Sequence, residues 1–161
     1  MTSRPSYVIE LLETIERATP TLARLSDEAA GRRPAPGEWS PREIIGHLID
    51  SASNNHQRFV RAQFQSDLTF PGYEQDAWVA AQKYQDASWS ELVALWAGFN
   101  RHLARVMAAV PDDIRLTPRA RHNLDRLAWR PVPSNEPATI DYFMAHYVGH
   151  LKHHLAQIPI R

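Results

Sequence analysis

His146-Tyr147-Val148-Gly149-His150-Leu151-Lys152-His153-His154-Leu155-Ala156-Gln157-Ile158 carries four of the chain's eight histidines and a helical apolar rhythm. At about 100° per residue, Ile140, Phe143, Met144, Tyr147, Val148, Leu151, Leu155 and Ile158 fall on one stripe, so the spacing predicts a core-facing helix. His154 lies inside that stripe and His150, one turn earlier, at its edge. His146 sits further round, and His153 points away from the core towards solvent.

Working outward, proline-free windows show where other long helices fit, because proline breaks helix interiors. Three are long: Arg42–Phe70, Gly72–Val110 and Ala138–Ile158. A shorter one, Ser6–Thr19, continues its pattern past Pro20. Ile44, Ile45, Leu48 and Ile49 repeat the helical period, as do Leu92, Leu95, Trp96, Phe99, Leu103 and Val106. No run alternates Val, Ile and Thr between turn signals as a strand would. Ser40-Pro41-Arg42-Glu43 reads as a capping box with proline at the first helical position, and Ser88-Trp89-Ser90-Glu91 repeats the device. Four main helices are expected at about 5–30 (kinked at Pro20), 41–65, 89–110 and 138–158. About ten residues, Gly31–Ser40, join the first two, short enough for antiparallel neighbours. The next connection has room for a short helix near Tyr73–Tyr84. The Pro- and Arg-rich stretch 111–137 is long enough for a crossover. The expected fold is all-α: one four-helix bundle domain over residues 1–161, with a long crossover connection.

Composition excludes several functions. Eighteen basic residues balance eighteen acidic ones, which removes the electrostatic footprint of a nucleic-acid binder. The absence of cysteine rules out disulfides, thiolate metal sites and a cysteine nucleophile, and suits a reducing cytoplasm. No stretch approaches the roughly 18 apolar residues of a membrane span, and Met1–Glu10 lacks a signal-peptide core. The expected setting is cytoplasmic, without nucleic acid or membrane.

Chemistry concentrates on the last helix. His150 and His154 are four apart and can place two imidazoles on one metal. Two hydrogen-bonded histidines at the core edge would show the same spacing. A third ligand must come from another helix, and His47 is the best candidate. It shares a polar stripe with Ser51, Asn54 and Arg58, well off the apolar centre set by Ile44, Leu48, Ala52 and Phe59. That stripe is either a solvated face or the wall of an open cleft, and periodicity leaves both open.

Gly37-Glu38-Trp39-Ser40-Pro41-Arg42-Glu43-Ile44-Ile45-Gly46-His47-Leu48-Ile49-Asp50-Ser51, paired with His146–Ile158, resembles the DinB-like superfamily. It is most similar to the YfiT branch of bacillithiol S-transferase-like metal-dependent hydrolases. The similarity follows order and spacing from the first helix to Ile158. It implies a bundle of up-down-down-up topology, often a homodimer, in which three histidines hold a divalent metal such as zinc or nickel. On this sequence those positions are His47, His150 and His154. Asp50 and Arg58 also match positions typical of the branch. Leu116–Pro137 departs from it, being longer and rich in Arg and Pro, which bears on substrate choice.

Three neutral imidazoles leave a tetrahedral ion one open position, the arrangement of a catalytic site. A water or thiol bound there loses its proton more readily than in bulk. The resemblance implies transfer of a low-molecular-weight thiol to a small electrophile, with hydrolysis of a small ester or amide as the close variant. Asp50 is the candidate catalytic group, accepting an imidazole N–H or assisting proton transfer; the alternative is an exposed helix carboxylate. Arg58 and Asn54 are candidate substrate contacts, Arg58 for a carboxylate, unless it is a surface ion-pairing arginine. The competing reading is a non-enzymatic metal-binding or stress-response bundle acting through dimerisation. A haem-binding bundle is a third, which visible absorbance would reveal. The five arginines of Arg115–Arg130 form a local basic patch for an anion, or a solvated loop. Trp39, Trp78, Trp89, Trp96 and Trp129 are expected to build core or cleft walls.

Overall fold

The structure, a computed structural model, describes residues 4–160. Its elements in chain order are α1 Ser6–Ala23, α2 Asp27–Gly31, α3 Pro41–Arg61, α4 Gln75–Gln82, a 3-10 turn Tyr84–Asp86, α5 Trp89–Ala109, α6 Asp112–Arg115, α7 Leu124–Leu127 and α8 Ile140–Leu155. Helices α1, α3, α5 and α8 make a four-helix bundle. Among the described residues the only extended pairing is two isolated bridges.

The helix starts follow the caps. Ser40 accepts the Glu43 N–H, the Glu43 carboxylate accepts the Ser40 N–H at 2.8 Å, and Pro41 opens the helix. Arg33 clamps Glu43 from the other side at 2.6 and 3.0 Å. The box expected at Ser88 is only half formed. The hydroxyl takes the Glu91 N–H at 3.4 Å, while exposed Glu91 does not reach back. The first helix is also shorter than the apolar pattern suggests. It runs through Pro20 and ends at Ala23, and Ser26 then caps the separate α2.

One cluster of buried residues joins the four long helices, with Leu11, Ile45, Leu48, Phe59, Trp96, Leu103, Met107, Ile140 and Leu151 at its centre. α5 packs between α1 and α3, and α8 packs against the same two helices. α1 and α3, successive in sequence and expected as neighbours, therefore lie across the bundle from each other, with α2 filling the connection against α3. Trp89 donates to the Leu22 carbonyl at 2.8 Å, joining the start of α5 to the end of α1. Phe59, late in α3, packs edge-on against Phe143, early in α8. These two helices run antiparallel, so the start of α3 faces the end of α8.

The crossover after α5 is pinned by its own side chains. Arg119 donates to the carbonyls of Ala62 and Gln65 at 2.9 and 2.8 Å, closing the open end of α3. His122 donates from Nε2 to the Glu136 carbonyl at 2.7 Å and accepts the Leu124 N–H at Nδ1. Asn123 brackets the Phe70 peptide, accepting its N–H and donating to its carbonyl. Arg115 bridges Asp112 and Asp141, and Arg130 lies over the Trp129 ring. Two of the five arginines that read as a basic patch, Arg115 and Arg119, are thus structural ties, and Arg121, Arg126 and Arg130 are exposed.

Candidate metal centre

The antiparallel α3 and α8 bring His47 beside His150 and His154. The three imidazoles offer nitrogen atoms that all lie within 4.8 Å of one another. His47 Nε2 and His150 Nε2 are 3.3 Å apart. Two nitrogens bound to one tetrahedral ion at about 2.0–2.1 Å each stand about 3.3 Å apart, so this pair already has the spacing of two ligands. Ring centroids of His154 lie 4.6 Å from His47 and 4.5 Å from His150. The donor set is all imidazole nitrogen, suited to zinc, nickel, copper or iron. The residues fit a divalent transition metal.

Of the two readings of the α3 stripe, the structure shows the cleft wall. His47 is 1% exposed because α8 and Trp39 cover it, the indole centroid 4.8 Å from its ring. Burial, reinforced by His154, pushes the His47 pKa down to about 4. Burial, with His154, His47 and His153, pushes His150 to about 3, and burial also lowers His154. All three are therefore neutral near pH 7, as ligands must be. Gln157 Oε1 lies 2.9 Å from His154 Nδ1. With Oε1 accepting a hydrogen bond from Nδ1–H, Nε2 keeps its lone pair free. His47 Nδ1 is buried without a protein partner.

A cleft of about 840 Å³ opens from the histidines. One wall comes from α3, with Ser51, Asn55 and Arg58. Tyr73 to Gln75 lie along another side, and α7, Trp129 and α8 complete it. Gly149 allows Trp129 to approach α8 closely, since a β-carbon at that position would stand 2.7 Å from the ring. His153 and His146 flank the same indole, at centroid distances of 5.7 and 6.5 Å. His153, although exposed, thus lines the cleft's rim. Trp89 and Trp96 are core, and Trp78 is partly exposed.

The other candidates separate. Arg58 is 6% exposed and lines the cleft. Asp50 is buried, not exposed, but it faces elsewhere. Its Oδ1 accepts from Tyr84 at 2.6 Å and Gln82 at 2.8 Å, and Oδ2 has no partner. Burial raises its pKa against the pull of those two donors. Asp50 is not part of the cleft lining and makes no hydrogen bond to His47. Asn54 is also outside the lining, donating to its own helix at the Asp50 carbonyl. At about 100° per residue, Asp50 and Asn54 lie to one side of His47, and Ser51, Asn55 and Arg58 to the other. The cleft is on the second side. That rotation would have found Asn55; Tyr73 and Asn123 lie in connections and carry no periodic signal.

A family model of the DinB superfamily matches residues 10–158. The chain belongs to the DinB superfamily. Within it, a relative from Oceanobacillus iheyensis, named "Putative metal-dependent hydrolase", is 26% identical over 155 residues, covering 94% of this chain and 83% of that protein. The fold likeness extends to YfiT from Bacillus subtilis, with a TM-score of 0.76 at 20% identity, over 95% of this chain and 82% of that one. That structure is described as a probable metal-dependent hydrolase with an unusual four-helix bundle topology.

Proposed function

We propose that this DinB-superfamily protein is a metal-dependent enzyme that directs a low-molecular-weight thiol onto a small electrophile in the cleft between α3 and α8. The observation that carries the reading is the convergence of three neutral imidazoles at a polar cleft. A zinc or nickel ion held by His47, His150 and His154 would supply Lewis acidity at an open position and acidify a thiol or water there.

The chain's own residues do the rest. Burial keeps the imidazoles unprotonated, so no proton competes for their lone pairs at neutral pH. Gln157 fixes the His154 tautomer, and Trp39 shields His47 from water. The cleft's volume lies in the upper part of the range for small-molecule sites, about 300–1,000 Å³, which leaves room for a thiol and its acceptor together. Hydrolysis is the second reading, favoured by the names that the relatives carry. Asp50, tied to Tyr84 and Gln82, acts as a positioning residue for the join between α3 and the α4 segment. A homodimer is part of the proposal.

The test loads the protein with zinc or nickel and offers a thiol panel with an activated aryl halide, and separately a nitrophenyl ester. Thiol-dependent loss of the halide, abolished by metal removal and in a folded His154→Ala variant, is the expected result. Ester cleavage without thiol, lost in the same two controls, would move the assignment to hydrolysis. A metal-loaded protein inactive in both assays would favour a non-enzymatic bundle.

A further inference from the structure

Arg58 is a buried cation without a counter-charge. Its guanidinium donates to the Pro71 carbonyl at 3.0 Å and to Asn55 Oδ1 at 3.4 Å, and it lies 5.9 Å from the centroid of the Tyr73 ring. None of these is an anion. Among the described residues no carboxylate lies within ion-pair distance of it, whereas Arg33 and Arg42 each have one and Arg115 has two. A guanidinium carries five N–H donors, so most of its capacity is unused. Its residue lines the cleft, and an unpaired charge held out of water is unfavourable until an anion meets it. Arg126 and Glu74 also line the cleft, but both are exposed and Arg126 stands 3.9 Å from Asp125, so Arg58 is the buried charge there.

Position along α3 sets the scale. Arg58 follows His47 by eleven residues, three helical turns, so both face the same cleft. Helical side chains lean towards the N-terminus, and the Arg58 guanidinium reaches back to Asn55, eight residues beyond His47. At 1.5 Å per residue this puts the guanidinium roughly 12 Å along the axis from the histidines.

We propose that the cleft binds an elongated anionic molecule, with a carboxylate on Arg58 and its reacting end at His47, His150 and His154. The planar fork of arginine matches a carboxylate through two parallel hydrogen bonds. Very small substrates cannot touch both ends. The inference rests on the metal-site reading for the identity of the reacting end, but not for the anion site itself. The carboxylate belongs either to the thiol or to the molecule it attacks.

The experiment measures binding of ω-mercaptoalkanoates of increasing chain length to the zinc-loaded protein by calorimetry, beside ω-mercaptoalcohols of the same lengths. A parallel arm compares KM for nitrophenyl esters with and without a terminal carboxylate. The expected result is an acid-over-alcohol preference of about tenfold or more, peaking at chains long enough to span the two ends. Folded Arg58→Gln loses that preference and its length optimum, while its zinc content stays that of the wild type. The arm in which the preference appears identifies which reactant carries the carboxylate. Equal binding of acids and alcohols by the wild type at every length, together with equal KM for the two ester series, would overturn the proposal, and this comparison stands even if Arg58→Gln fails to fold. Arg58→Gln keeping the wild-type preference would overturn it too. An acid preference in a wild type that takes up no zinc or nickel upholds the anion site and removes the metal reading. Full metal uptake without any acid preference does the reverse.

Discussion

Gly46 sits one residue before His47, and its missing side chain is what lets Tyr84 pack on α3. A β-carbon there would fall 2.1 Å from the Tyr84 ring. Gly46→Ala must displace that ring and break its hydrogen bond to Asp50. The expected loss is about 1–3 kcal/mol despite the better helix propensity of alanine, read by urea denaturation. Deeper in the bundle, Tyr147 donates to Asn100 Oδ1 at 2.5 Å. Tyr147→Phe leaves that buried oxygen without its donor, for a loss of about 1–3 kcal/mol. No change in metal content should accompany it, since Tyr147 borders the cleft without contributing a nitrogen. An unchanged midpoint in either variant would refute the corresponding contact.

At the scale of elements, the start of α3 depends on the ionised Glu43. Burial pushes its pKa up, but the Arg33 guanidinium and the Ser40 N–H outweigh this and hold it below the ordinary value. A depressed carboxyl pKa stabilises the fold above the unfolded-state pKa, and that contribution disappears as pH falls through the folded-state value. Glu43→Gln should therefore be less stable than the wild type at pH 7, by about 1 kcal/mol given the half-exposed Arg33. The difference should close in acid below the carboxyl range. A difference that does not change with pH would mean that the ion pair contributes nothing.

The same element shows what the sequence could and could not reveal. Ser40-Pro41-Arg42-Glu43 specifies a helix start locally, so it was legible. Ser88-Trp89-Ser90-Glu91 has the same letters, but no partner like Arg33 holds Glu91, and only half a box forms. The i, i+4 spacing put His150 and His154 on one face, and the structure brings them together. His47 could not be assigned by period alone, because a polar stripe facing water and one facing α8 look identical until the neighbouring helix is placed. Asn54 and Asn55 differ by one step of rotation, and only the position of α8 shows which of them meets the cleft. The crossover was opaque for a similar reason. Arg119, His122 and Asn123 act on backbone groups more than fifty residues away or in their own loop, and no periodicity records that.

For the molecule as a whole, metal binding and folding are linked. The three imidazoles come from two helices that lie far apart in sequence, so the assembled site exists only in the folded bundle. Any ion that binds the native state alone raises stability by RT ln(1 + [L]/Kd), about 2.7 kcal/mol at a hundredfold excess over Kd. Zinc or nickel should therefore raise the melting temperature of chelator-stripped protein and leave that of His154→Ala nearly unchanged. Equal shifts in the two proteins would place the binding elsewhere.

The most direct test of the central claim is metal content, measured by elemental mass spectrometry on untagged protein purified without chelators, with His154→Ala alongside. The three-histidine centre predicts close to one divalent transition-metal ion per chain in the wild type and its loss in the folded variant. A folded wild type that carries no metal, and takes up neither zinc nor nickel when offered them, would contradict it.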